Sequence, residues 1–142
     1  MNEISAAIGI EQLKKLNKMN SIRKKIAKRY SSELQNESKM PFDNNCSYHL
    51  YWICVKNRID FRKKLYKNGI QTGTHYKPIH TFRLYKNKTK LPITEKIGQE
   101  IVTLPIHPNL TNKQLDKIIL LSNRFSKWII SSIVNFVIVS VQ

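Results

Sequence analysis

The densest group of residues able to do chemistry runs from Asn68 to His80, as Asn-Gly-Ile-Gln-Thr-Gly-Thr-His-Tyr-Lys-Pro-Ile-His. His75, Tyr76 and His80 bring two imidazoles and a phenol, groups that exchange hydrogen bonds and, for imidazole, protons near neutral pH. Gly69 and Gly73 lie among them and permit backbone conformations that other residues resist. A zinc centre on His75 and His80 does not follow, because two further ligands at suitable spacing are missing. Cys46, Cys54, His49 and His107 supply no such pattern. Cys54 lies inside an apolar run, where a thiol behaves as a small hydrophobe rather than a nucleophile. The nine acidic residues are scattered, no Ser-His-acid set stands out, and no glycine loop of the phosphate-cradling kind is present. These residues offer a polar binding loop without a self-sufficient catalytic set.

The elements that must position this loop can be read from the pattern around it. Ser47 to Val55 is aromatic and β-branched, which predicts a strand buried on both faces, with Tyr51 and Trp52 in the core. Asp60 stands where an N-cap belongs, Phe61 and Leu65 share a helical face, and Gly69 follows the helix end. A second strand is expected over Ile70 to Tyr76, completing a β-α-β unit with a right-handed crossover if the two strands run parallel in one sheet. Residues 77 to 92 read as a loop carrying Pro78 and Pro92.

Before the loop, Glu3 to about Leu34 reads as one long helix, with Leu13, Leu16, Met19, Ile22, Ile26 and Tyr30 on one face. Its opening turns are apolar nearly all round, as in a helix start buried on several sides. After the loop come a short helix near Thr94 to Ile101, a brief strand at Val102 to Leu104 stopped by Pro105, and a capped helix from Thr111. Leu115, Ile118, Ile119, Ser122 and Phe125 trace its inner face. The expected class is α/β or α+β: a small sheet covered by helices and preceded by a long helix. The expected organisation is a long helix at 1–34, a small α/β domain at 35–127 and an apolar tail at 128–142.

Composition narrows the function classes. The chain has 142 residues, 25 Lys+Arg against 9 Asp+Glu, and a net charge of +16. That length suits one domain of about 100 to 150 residues. A charge of +16 could serve nucleic acid or an anionic membrane surface. However, 19 Lys, 13 Asn and 19 Ile fit a compositional bias, and Lys outnumbers Arg 19 to 6 where bidentate recognition favours Arg. The tail has 15 residues with Asn135 inside it, short of the roughly 20 that a membrane span needs. Two cysteines and the absence of a signal-peptide pattern predict a cytoplasmic protein.

Four stretches, in order, resemble one family. They are Met1 to Leu13, Arg29-Tyr30 with Ser47-Tyr48-His49-Leu50-Tyr51, Gly69 to His80, and Leu104-Pro105-Ile106-His107-Pro108-Asn109-Leu110-Thr111. Together they are similar to the DegT/DnrJ/EryC1/StrS family of pyridoxal-phosphate-dependent nucleotide-sugar aminotransferases, a resemblance covering residues 1 to about 125. It implies the small C-terminal domain of a fold-type I transferase and the helix leading into it. It also implies a substrate-binding role for His75, Tyr76 and His80 toward a sugar nucleotide, glutamate as amino donor, and homodimers. His107 is expected to end a strand rather than bind. Family members are longer, and Met1 matches an internal methionine of their pattern. None of the 19 lysines stands in the family's cofactor-lysine context. The expectation is therefore a C-terminal piece that neither binds pyridoxal phosphate nor transaminates alone. Two other readings stand beside it: a docking subunit of a split aminotransferase, and a basic nucleic-acid-binding module. The aromatic strand's burial argues against the second.

Overall fold

The computed structural model describes residues 2–85 and 90–126. The expected tail at 128–142 lies outside the described residues. A 31-residue helix, α1 (Glu3–Glu33), opens the chain, its first turn capped by the Asn2 side chain accepting from the Ser5 N–H at 2.8 Å. Strand β1 (Tyr51–Cys54), helix α2 (Arg58–Lys67), a 3₁₀ turn (Ile79–Thr81), helix α3 (Pro92–Glu100), strand β2 (Ile101–Leu104) and helix α4 (Asn112–Ser126) follow.

β1 and β2 pair antiparallel, Tyr51 opposite Leu104 and Ile53 opposite Val102. Because side chains alternate across a strand, these four residues share one face. That face is sealed: Tyr51, Ile53 and Val102 have no exposed area, and Leu104 is 3% exposed. Ile26, Ala27 and Tyr30 of α1, Phe61 and Leu65 of α2, and Leu115, Ile118 and Ile119 of α4 join the same core. The other face carries Trp52 and Thr103, and Trp52 is only half-buried, so the strand is not enclosed on both faces as expected.

Three local expectations give way to geometry. β1 begins at Tyr51 rather than Ser47, because Tyr48 adopts φ 53° and turns the chain, its buried ring stacked on Phe42 at 5.7 Å. The N-cap of α2 is Asn57, whose side chain accepts from the Asp60 N–H at 3.2 Å; Asp60 sits in the first turn instead. The segment after α2 makes one antiparallel bridge to β2, Gly73 with Thr103, rather than a full strand. Two antiparallel steps, β1 to β2 and β2 to Gly73, leave that segment parallel to β1 with β2 between them. The β-α-β unit is thus split. Gly69, at φ +76°, makes the turn out of α2 that only glycine adopts without strain.

The C-terminal half of α1 is tied down at several points. The Tyr30 hydroxyl donates to the Pro105 carbonyl at 2.6 Å, and burial pushes this phenol well above its ordinary titration range. Arg29 bridges Glu33 and Asp116 of α4, while Asn123 of α4 donates to the Glu33 carbonyl at 2.9 Å. Among the described residues the N-terminal half has no such partners: Ile4, Ile8, Leu13 and Leu16 are all exposed. The opening turns expected to be buried on several sides stand clear of the core.

α3 starts at Pro92, whose missing N–H costs nothing at a first helical position. Glu95 secures this start, accepting from the Leu91 N–H at 3.0 Å and facing His80 Nε2 at 3.2 Å. These contacts, the backbone bond foremost, hold the Glu95 carboxyl below the ordinary carboxylate range.

Two measurements check this account. Tyr30→Phe should lower unfolding free energy by about 0.5 to 1.5 kcal/mol in urea titration, whereas Leu120→Ala on the exposed side of α4 should stay within about 0.5. Glu95 has a depressed folded-state pKa, so its contribution is complete above the ordinary value of about 4.3 and fades as pH falls through the lower folded value. The melting-temperature gap between the native chain and Glu95→Gln should therefore be present near neutral pH and close in acid.

Candidate functional site

Strand parity decides which residues meet at the site. Thr103 points to the face opposite the core, and the Gly73–Thr103 bridge places residues 73 and 75 on that same face. The bridge is reciprocal: Gly73 N–H donates to the Thr103 carbonyl at 3.1 Å, and Thr103 N–H returns to the Gly73 carbonyl at 2.9 Å. His75 folds back over it, its Nδ1 lying 2.8 Å from Thr103 Oγ1. Gly73 makes room for this. A Cβ there would stand 2.6 Å from His75 Cε1 and 2.8 Å from Thr103 Oγ1.

His75 lines a cleft of about 380 Å³ shared with His49, His107, Arg23 and Thr103. Tyr76 is 70% exposed at its side and meets the His75 ring edge-on, centroids 4.9 Å apart. His80 lies elsewhere. Its side chain is 11% exposed and turned toward Glu95 of α3. Pro78 packs there too, so close that a Cβ on Gly98 would be 2.5 Å from its Cγ. The structure thus brings His75 and Tyr76 together and sets His80 behind the loop.

From sequence, His49 stands only in a family-like stretch without a metal pattern, Arg23 has no assigned role, and His107 has a structural task. The signal that gathers the two histidines is register: Tyr51 opposes Leu104, so the residues just before β1 and just after β2 share one end of the sheet. Arg23 arrives from α1, on the same side as Ile26 and Tyr30, one or two turns before them. This convergence depends on contacts across more than fifty residues of sequence.

The cleft supplies hydrogen-bonding groups, one guanidinium and imidazoles. No group of three or more His, Cys, Asp or Glu among the described residues could hold a metal ion. Pyridoxal phosphate requires a lysine amine for its aldehyde and donors for its phosphate. No lysine lines this cleft among the described residues, so these residues do not by themselves make a site for that cofactor. Of the aromatic residues around β1, Tyr48 and Tyr51 are fully buried, while Trp52 on the other face is half-buried. No described helix is long and apolar enough to cross a membrane.

Comparison with known proteins gives a single picture. The model of the DegT/DnrJ/EryC1/StrS aminotransferase family matches residues 1–121. The aminotransferase TlmJ from Streptoalloteichus hindustanus is 27% identical with a TM-score of 0.79, over 87% of this chain and 36% of its own. PseC from Helicobacter pylori, an aminotransferase involved in the biosynthesis of pseudoaminic acid, is 28% identical with a TM-score of 0.77, over 89% and 38%. Spr1654 from Streptococcus pneumoniae, solved in a PLP form, is 27% identical with a TM-score of 0.79, over 89% and 36%. The chain thus spans little more than a third of the length of these structures. With its fold and its ordered motifs matched along most of its length, the chain belongs to the DegT/DnrJ/EryC1/StrS aminotransferase family, whose members are sugar aminotransferases dependent on pyridoxal phosphate.

Proposed function

We propose that this chain is the substrate-facing small domain of an aminotransferase acting on keto-sugar nucleotides, and that it transfers no amino group without a cofactor-bearing domain. The observation that carries the reading is the cleft at one end of the sheet, where His49, His75, His107 and Arg23 gather with no lysine among the lining residues. Such a set binds and orients an oxygen-rich substrate; it does not hold a cofactor aldehyde.

Within this reading His75 and Tyr76 contact the sugar nucleotide, and His80 supports that contact from behind through Glu95 and α3. Glutamate is the amino donor, and the working assembly is a cytoplasmic homodimer. The cofactor domain packs on the exposed apolar half of α1, where Ile4, Ile8, Leu13 and Leu16 stand without cover among the described residues. It is supplied by further chain or by a separate subunit. The basic nucleic-acid reading has no counterpart to this cleft.

An amino-transfer assay tests the proposal. The 142-residue chain with pyridoxal phosphate, glutamate and a keto-sugar nucleotide should show no turnover above buffer. Adding a cofactor domain from a family relative should produce turnover, and His75→Ala should reduce it by at least about tenfold. Turnover by the chain alone, or complemented turnover indifferent to His75, would overturn the reading.

A further inference from the structure

The contact between Thr103 and His75 says more than that the two are neighbours. Thr103 is 5% exposed, and its backbone N–H and carbonyl are both taken by Gly73. Its hydroxyl proton still needs an acceptor, because a buried donor left unpaired is costly. His75 Nδ1, at 2.8 Å, is the one hydrogen-bond partner of Oγ1 among the described residues. A hydroxyl donating to Nδ1 makes that nitrogen the acceptor of the ring, which puts the imidazole proton on Nε2. The opposite arrangement, Nδ1–H donating to Oγ1, leaves the hydroxyl proton with no protein acceptor among the described residues.

We infer that Thr103 is a positioning residue that holds His75 as the neutral Nε2–H tautomer, so that the cleft presents a hydrogen-bond donor to an oxygen of whatever binds there. Three independent contacts keep the ring in place for this. Thr103 fixes Nδ1. Gly73 leaves a gap into which Cε1 fits and which any Cβ would fill. Tyr76 meets the ring edge-on, its plane at 87°. No described residue bonds to Nε2. Arg23 of the same cleft is also a donor, with Nη1 held 3.0 Å from Asn20 Oδ1. Two donors on one cleft suit an acceptor such as a phosphate or carbonyl oxygen. The tautomer rests on the geometry alone. That its acceptor is a sugar-nucleotide oxygen rests on the function proposed above.

Long-range proton–nitrogen correlation spectra of the ¹⁵N-labelled chain, recorded at about pH 8 where imidazole is neutral, test the inference. The resonances are assigned with His75→Gln. The native chain and Thr103→Ser should both show His75 with the single pattern of an Nε2–H ring. Thr103→Val, equal in shape but without the hydroxyl, should lose that pattern for the averaged shifts of exchanging tautomers, with backbone amide dispersion retained. An Nδ1–H pattern in the native chain would overturn the inference, as would an unchanged single pattern in Thr103→Val. If Thr103→Val does not fold, the native pattern decides. The spectra read no turnover, so this inference and the proposed function fail separately.

Discussion

One residue pair governs where the chemistry stands. Gly73 and Thr103 exchange both backbone hydrogen bonds at the edge of β2, and the loop carrying His75 and Tyr76 hangs from that pair. Each bond contributes only about 1 kcal/mol net, so their importance is geometric rather than energetic. The bridge sets parity, parity puts the Thr103 hydroxyl and His75 on one face, and the absent side chain at Gly73 lets the imidazole lie over the strand. Further out, Pro78 against Gly98 and His80 against Glu95 pin the loop a second time, to α3.

The bridge works only because β2 is itself immobilised. Val102 and Leu104 are buried against the helices, while Thr103 between them faces the other way. Tyr30 of α1 bonds to Pro105 immediately after β2, so the long helix anchors the strand that anchors the loop. Arg23, seven residues earlier on α1, reaches the cleft along the same helix. Beyond it, toward the N-terminus, α1 leaves the core and shows Ile4, Ile8, Leu13 and Leu16 to solvent. α1 thus has a buried half and an exposed half that still carries large apolar side chains.

The sequence was most readable where a single period decides the outcome. Phe61 and Leu65 on α2, and Leu115, Ile118, Ile119 and Ser122 on α4, are buried as their spacing predicts. The capping box at Thr111 and Gln114 forms, with Gln114 Oε1 accepting from the Thr111 N–H at 2.9 Å. Reading failed where two local signals compete. Asn57 and Asp60 are both good caps, and only the helix start chooses between them. Tyr48 looks like a strand residue by type, yet its ring is better buried from a left-handed turn. The candidate site was half-legible. His75 and Tyr76 announced themselves through the motif around them. His49, His107 and Arg23 meet only through the β1–β2 register and the path of α1, which no local window contains.

The central claim is that the His75 loop is part of the sheet and not a flap laid over it. Native-state hydrogen exchange reads this directly at the amides of Gly73 and Thr103, which donate the two bonds of the bridge. If the claim holds, both amides exchange only with the global unfolding free energy, together with those of Val102 and Ile53 in the strand core. If the Gly73 amide exchanges through a local opening while the β1 and β2 amides stay protected, the loop is not held by the sheet, and the account of how His75 is positioned fails.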